Sequence, residues 1–81
     1  MTVRLLFFSV LRDITGVEET SWPITPGATV TDLLETLYQR WPSLRDWDSS
    51  LLVAVDQTYV KKHELLPAGS EVAIMPPVQG G

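Results

Sequence analysis

Short apolar runs separated by turn residues dominate both ends of the chain. Residues 3–8 form an apolar, aromatic-rich run, and residues 51–55 and 71–75 are similarly rich in aliphatic side chains. Runs of this length predict strands because they are too short to form stable helices. Weaker strand patterns at residues 18–22 and 58–60 bring the number of predicted strands to five.

The middle of the chain carries the clearest helix pattern. Thr29 and Asp32 have the spacing of a capping box, in which each side chain satisfies a backbone N–H group of the first turn. Pro42 ends the pattern because its ring clashes with the preceding helical turn. The apolar residues between these limits recur at a spacing of three and four, which places them on one helical face: Val30, Leu33, Leu34, Leu37, Tyr38 and Trp41. We therefore expect one long amphipathic helix.

A shorter helix is predicted over residues 10–14, directly after the first strand. Ser9 precedes it as the expected N-cap, and Gly16 follows it as a residue that can close a helix in the left-handed conformation. Residues 43–50 are predicted to be a polar connector with one helical turn. Asp56 and Gln57 indicate a tight turn between the third and fourth strands.

The order of these elements predicts an α+β grasp fold. One main helix can cover one face of a mixed five-stranded sheet, so the other face stays uncovered. The first and last strands are both strongly apolar and should lie side by side in the sheet centre. Their parallel pairing requires a long crossover, which the helical region supplies. We expect one domain over residues 1–76 and an extended C-terminal tail over residues 77–81.

The end of the chain is the most distinctive local feature. Pro76 and Pro77 favour extended backbone, and Val78 and Gln79 lead to Gly80-Gly81. Glycines lack a Cβ atom, so a flexible arm of this kind can carry the terminal carboxylate into a narrow channel. Residues 77–81 reach at most roughly 16 to 18 Å when extended. We interpret the Gly81 carboxylate as the functional group; the alternative is an ordinary frayed terminus.

Strand alternation predicts a candidate docking patch. Phe7 and Phe8 are adjacent in a strand and must point to opposite faces, and we assign Phe7 to the core and Phe8 to the uncovered face. The same alternation places Tyr59 and Met75 on that face, beside the departing tail. Arg12 should lie near this patch, where it could pair with a partner carboxylate. The alternatives are ordinary core residues and a solvated arginine.

Composition and charge exclude several classes of function. The chain has 44% hydrophobic and 20% charged residues, which is typical of a soluble globular domain, and neither a membrane span nor a signal peptide is expected. We therefore expect a cytoplasmic protein. Cysteine is absent and His63 is the single histidine, which argues against a metal site.

The net charge of −4 argues against a nucleic-acid partner and favours a basic protein partner, or simply aids solubility. The sequence contains no glycine-rich phosphate loop and no recognisable Ser/His/Asp set. An enzyme active site within this chain is therefore not expected, and we assign no role to His63.

Two motifs resemble the family of molybdopterin synthase small subunits, which are ubiquitin-like sulfur carriers. The first is FF-x-x-LR-[DE]-x-x-G, over residues 7–16, and the second is G-[SD]-EVA-x-x-PPV-x-GG, which starts at Gly69. The middle segment LLVAVDQTYV also fits, so the resemblance extends from Val3 to Gly81. Two positions depart from the family pattern, because Asp56 stands where Asn is expected and Met75 where an aromatic residue is common.

The resemblance implies a ubiquitin-like β-grasp domain that donates sulfur without being catalytic itself. An ATP-dependent adenylating enzyme would activate the Gly81 carboxylate, and a sulfur donor such as a cysteine desulfurase or rhodanese would convert it to a thiocarboxylate. The synthase large subunit would then direct the sulfur to a pterin precursor of the molybdenum cofactor. This chain would bind no cofactor itself, since ATP is used by the activating enzyme. Two small subunits flanking a large-subunit dimer would form a heterotetramer.

Site residues follow from the same resemblance. Gly81 would carry the sulfur and Gly80 would be its slim neighbour. Of the expected partner-binding residues, Phe8, Arg12 and Met75 match positions that the family uses in docking. Strand alternation adds Tyr59, and the segment before the glycines adds Pro76, Pro77 and Val78. Three other functions stay open: a sulfur carrier for thiamine synthesis, a ubiquitin-like protein modifier, and a plain interaction domain. The chemical fate of Gly81 separates them.

Overall fold

A computed structural model describes residues 1–77. It contains five strands, two α-helices and a 3₁₀ segment in the predicted order: β1 (Thr2–Phe7), α1 (Val10–Thr15), β2 (Glu19–Pro23), α2 (Val30–Arg40), the 3₁₀ segment (Pro42–Trp47), β3 (Leu52–Val55), β4 (Thr58–Val60) and β5 (Glu71–Met75). Every predicted strand and α-helix is confirmed, with boundaries that differ by at most one residue. No helix within residues 1–77 is both long and apolar enough to cross a membrane.

The five strands form one mixed sheet in the order β2-β1-β5-β3-β4. Strands β1 and β5 pair in parallel, whereas the β1–β2, β3–β5 and β3–β4 pairs are antiparallel. The prediction that the first and last strands lie side by side is confirmed. The connection from β1 to β5 includes α2, which lies over one face, so the sheet has one covered and one uncovered face.

The core lies between α2 and the covered face of the sheet. Its fully buried side chains come from both layers, and the largest are Tyr38, Phe7, Leu5, Leu11, Leu33, Leu34, Leu37, Leu44 and Ile74. The ring of Trp41 packs against Phe7 edge to face at a centroid distance of 5.5 Å. It also lies 5.5 Å from the ring of Trp22, whose indole N–H donates to the Thr36 hydroxyl. These aromatic contacts close the core beneath β2.

The connector after α2 differs from the prediction. The sequence predicts a polar segment with one helical turn, but the 3₁₀ segment begins at Pro42 and Leu44 is fully buried. A short polar sequence gives no periodic signal for one inward-pointing leucine. The connector therefore contributes to the core.

Local backbone signals behave largely as expected. Thr29 and Asp32 form the reciprocal capping box at the start of α2. Gly16 closes α1 with a φ of 70°. Asp56 and Gln57 have φ values of 49° and 72°, as a two-residue hairpin turn requires. Ser9 is at the N-cap of α1, but its side chain makes no capping hydrogen bond. Its predicted capping role is therefore wrong in this detail.

A polar network joins α2, the connector and the loop after β4. The Tyr38 hydroxyl donates to Asp48 Oδ1 at 2.5 Å, and Lys62 Nζ lies 3.3 Å from Asp48 Oδ2. The hydrogen bond from Tyr38 lowers the pKa of Asp48, with Lys62 acting in the same direction and desolvation opposing both. Burial raises the pKa of Tyr38, and its bond to Asp48 raises it further. Sequence patterns gave no sign of this network, because its members are far apart in the chain.

Replacing Asp48 with asparagine is expected to destabilise the domain only at a pH at which the Asp48 carboxylate of the unaltered chain is charged. Because the folded-state pKa is lowered, Asp48 contributes stability above its unfolded pKa of about 3.9 and loses it as the pH falls through the folded value. The side chain is 46% exposed, so we expect a loss of about 1 kcal/mol at most at pH 7, or about 4–8 °C in Tm. Thermal melts of both proteins at pH 7 and in acid measure this difference.

Asp46→Asn is the matched control, because Asp46 is an exposed carboxylate in the 3₁₀ segment that ends just before Asp48. Its Tm at pH 7 should equal that of the unaltered chain. An Asp48→Asn protein whose Tm deficit persists unchanged at about pH 2 would contradict a role for the charged carboxylate.

Candidate functional site

The uncovered face of the sheet carries the aromatic side chains that the alternation predicted. Phe7 is 1% exposed and belongs to the core, whereas Phe8, which follows the end of β1, is 46% exposed. Tyr59 on β4 is 65% exposed. Strand pairing places Leu6, Ala73, Ala54 and Tyr59 in one row across β1, β5, β3 and β4. The predicted assignment of Phe7 and Phe8 to opposite faces is confirmed.

One groove on this face, here called the tyrosine groove, has a volume of about 350 Å³. Its lining residues are Phe8, Ala54, Gln57, Tyr59, Glu71, Ala73 and Met75. Small alanine side chains form its floor, and the rings of Phe8 and Tyr59 are among its larger lining groups. The structure thus brings together Phe8, Tyr59 and Met75. Their surroundings are apolar at the centre and polar at the Gln57 and Glu71 side, which is the pattern of a protein-binding surface.

A second and larger concavity lies on the other side of Phe8, next to the loop that joins α1 to β2. We call it the β1–β2 concavity, and its volume is about 810 Å³. Its lining residues are Leu6, Phe7, Phe8, Arg12, Gly16, Val17, Glu18 and Glu19. Arg12 therefore borders Phe8, as predicted, but it does not line the tyrosine groove. Its guanidinium lies 3.8 Å from the Glu18 carboxylate.

The C-terminal tail leaves the sheet beside Phe8. The Phe8 amide donates to the Ile74 carbonyl at 3.2 Å, one residue before β5 ends at Met75. Pro76 is half-buried and Pro77 is exposed, and both follow directly after the end of the central strand β5. The other predicted site residues, Val78, Gly80 and Gly81, lie outside the described residues. The uncovered face and the start of the tail are thus adjacent.

Charged side chains lie toward the opposite end of the uncovered face. Arg4 Nη2 lies 2.5 Å from Glu71 Oε2, and Arg4 Nε lies 3.5 Å from Glu19 Oε2. These pairs join β2, β1 and β5. The face thus combines apolar side chains around Phe8 with charged pairs at Arg4, and the pair of Arg12 and Glu18 lies beside Phe8 itself. Within residues 1–77, no group of three or more His, Asp or Glu side chains is arranged to hold a metal ion.

Residues 5–81 match the model of the protein family described as the ThiS family. The chain belongs to the ThiS family. Within the family, this chain is 35% identical to the molybdopterin synthase sulfur carrier subunit of Chlamydomonas reinhardtii over all of both chains. It is also 35% identical to the subunit of that name from Mycobacterium tuberculosis, over 98% of this chain and 96% of that protein.

Solved structures confirm the ubiquitin-like β-grasp fold of this ThiS-family chain. A structure described as molybdopterin converting factor subunit 1 of Pyrococcus furiosus is 30% identical, with a TM-score of 0.86 over 96% of this chain and 99% of that one. Small archaeal modifier protein 1 of Haloferax volcanii is 25% identical, with a TM-score of 0.84 over 95% and 98%.

A complex of subunits 1 and 2 of the Helicobacter pylori molybdopterin-converting factor contains a chain that is 21% identical, with a TM-score of 0.68 and full coverage of both chains. At that identity the likeness concerns the fold alone.

Several residues of this ThiS-family surface were not singled out from the sequence. Ala54 and Ala73 form the floor of the tyrosine groove because β3 and β5 are neighbours in the sheet, which no short-range pattern reports. Glu18 and Glu19 line the β1–β2 concavity. Their backbone partners on β1 place them there, because Glu19 pairs with Leu6 and the Glu18 carbonyl accepts from the Phe7 amide.

Proposed function

We propose that this chain is the sulfur carrier subunit of a molybdopterin synthase and carries sulfur as a thiocarboxylate on Gly81. The observation that supports this most directly is the adjacency of the apolar uncovered face and the departing C-terminal tail. A protein that binds this face holds the start of the tail next to itself. The full-length similarity to molybdopterin synthase sulfur carrier subunits supports the same reading.

The chemistry begins at the terminal carboxylate, which is inert until it is activated. An ATP-dependent adenylating enzyme joins the carboxylate to AMP with release of pyrophosphate. The terminal sulfur of a persulfide on a donor such as a cysteine desulfurase or rhodanese then attacks the acyl carbon, and AMP leaves. A thiol reduces the acyl disulfide so formed, which frees the thiocarboxylate and leaves a disulfide on the donor side. The thiocarboxylate sulfur bonds to the pterin precursor, and water then cleaves the bond between that sulfur and the acyl carbon, so Gly81 returns to a carboxylate. This chain binds no cofactor in the cycle, because ATP is a substrate of the activating enzyme.

The binding role belongs to the uncovered face. Phe8, Tyr59 and Met75 contact the large subunit, while Arg12 pairs with a carboxylate at the edge of the contact. Pro76, Pro77 and Val78 guide the tail into the partner, and Gly80 allows the last residue to enter a narrow channel. Two copies of this chain flank a dimer of large subunits. The cycle takes place in the cytoplasm and involves neither nucleic acid nor membrane.

Tandem mass spectrometry of the C-terminal peptide tests the first half of this cycle. The chain is incubated with an adenylating enzyme, ATP and a sulfur donor, and a replacement of one oxygen by sulfur confined to Gly81 is expected. Localisation to Gly81 is essential because oxidation of methionine or tryptophan adds nearly the same mass. An unmodified terminus, with enzymes shown to be active on another carrier, would contradict the proposal.

A protein-modifier function is the second candidate. It is favoured by the similarity to small archaeal modifier protein 1, which is 25% identical with a TM-score of 0.84. A modifier would use the same activated carboxylate to form an isopeptide bond with a lysine. Mass spectrometry of cell extracts for lysines that carry the C-terminal residues of this chain distinguishes the two functions, since a sulfur carrier leaves no such adducts.

A further inference from the structure

We propose that the β1–β2 concavity binds a basic side chain of the synthase large subunit, with Glu18 and Glu19 as its anchors. This inference rests on the proposed function, because it assigns a place to the partner that the proposed function requires. It adds a specificity-determining contact on the side of Phe8 opposite the tyrosine groove.

The two glutamates are available for a new partner. The Glu18 side chain is 78% exposed and the Glu19 side chain is 51% exposed. Their present contacts are loose, at 3.8 Å to Arg12 and 3.5 Å to Arg4. Exposed ion pairs of this kind contribute about 0–1 kcal/mol each, so exchanging them for an incoming cation has a small energetic cost.

The local charge favours a cation over an anion. The charged residues that line the concavity are two carboxylates, Glu18 and Glu19, and one guanidinium, Arg12, which leaves an excess of one negative charge. The shorter of the two contacts of Arg4 is the 2.5 Å pair with Glu71, so Glu19 is the less neutralised partner of Arg4. The whole chain has a net charge of −4, which adds to the attraction for a basic group.

The shape of the concavity suits a long basic side chain. Leu6 is half-buried and the Phe8 ring is 46% exposed, so an aliphatic stem can pack against them while the charged head reaches the carboxylates. A guanidinium can also lie over the Phe8 ring. The volume of about 810 Å³ leaves room for such a group together with the backbone that carries it. Phe8 also lines the tyrosine groove, so both contacts belong to one continuous surface.

The double variant Glu18→Gln/Glu19→Gln tests this inference. Its affinity for the large subunit should fall about 5- to 10-fold, and the salt dependence of binding should become weaker, because two rim charges are lost. Isothermal titration calorimetry at low and high salt measures both quantities. Glu35→Gln/Asp46→Asn is the matched control, since it removes two exposed carboxylates from α2 and the 3₁₀ segment and should change the affinity less than about twofold.

Other outcomes would overturn the inference. Equal losses in the two double variants would show an effect of net charge alone. Undiminished binding of the Glu18→Gln/Glu19→Gln variant would show that these carboxylates hold no basic group, whether or not Arg12→Gln loses affinity through its own partner carboxylate. If the Glu18→Gln/Glu19→Gln variant loses affinity for the adenylating enzyme but not for the large subunit, the basic side chain belongs to the adenylating enzyme and the inference is wrong. If the unaltered chain fails to bind the large subunit at all, the proposed function fails first. Equal melting temperatures confirm that all variants are folded.

Discussion

Deleting Gly81 is expected to abolish sulfur transfer while leaving the Tm unchanged. The deletion leaves a carboxylate on Gly80, but it moves that group back by one residue, or about 3.3–3.6 Å along an extended chain. Acyl activation depends on reacting atoms lying within about 3–3.5 Å of each other, so a shift of this size costs at least a hundredfold in rate. Strand β5 ends at Met75, six positions before the deleted residue, so the folded domain loses no strand pairing.

Conversion of the pterin precursor in a reconstituted synthase is the measurement. Gln79→Ala is a suitable control because it changes the tail but keeps its length and its terminal carboxylate, and it should retain most of the activity. Unchanged pterin conversion by the shortened chain would refute the sulfur-carrier function.

The adjacent residues Phe7 and Phe8 should give opposite phenotypes. Phe8→Ala is expected to weaken binding to the large subunit by tens of fold, or about 2 kcal/mol, because exposed aromatic anchors dominate such surfaces. Its effect on stability should stay below about 1 kcal/mol, since the ring is already 46% exposed. Phe7→Ala removes a ring that is 1% exposed and packs on Trp41, so about 3–5 kcal/mol of stability should be lost.

Thermal melts and titration calorimetry on the same preparations separate the two effects. Phe7→Leu keeps much of the buried volume and is the variant to use if Phe7→Ala does not fold. It should melt at a lower temperature and still bind the large subunit normally. A large fall in Tm for Phe8→Ala with normal binding would instead assign Phe8 to the core.

The fold could be predicted because its main signals are local. The three-and-four spacing along α2, the capping box at Thr29 and the apolar runs of β1, β3 and β5 each fix an element independently of the rest of the chain. Leu44 and the bond between Tyr38 and Asp48 could not be predicted in the same way. Each depends on where the connector lies after the helix and sheet have packed, and one inward side chain in a polar segment has no periodicity.

The candidate site also has a part that local patterns predict and a part that depends on tertiary packing. Strand alternation placed Phe8 and Tyr59 on the uncovered face, because neighbouring side chains in a strand point in opposite directions. The tyrosine groove and the β1–β2 concavity could not be predicted, because their shapes depend on the order of strands and on the path of the α1–β2 loop. The roles of Gly80 and Gly81 rest on the sequence and on family resemblance, since these residues lie outside the described part of the chain.

The central position of β5 determines how the domain withstands mechanical load. A partner that draws in the tail pulls on β5 along its own axis, and β5 is hydrogen-bonded to β1 on one side and to β3 on the other. Force in this direction loads both rows of bonds together, so they must shear at once and cannot open one by one. An edge strand such as β4, with three paired residues, would peel away far more easily. Pairing on both sides therefore makes β5 harder to displace by a pull on the tail than an edge strand would be.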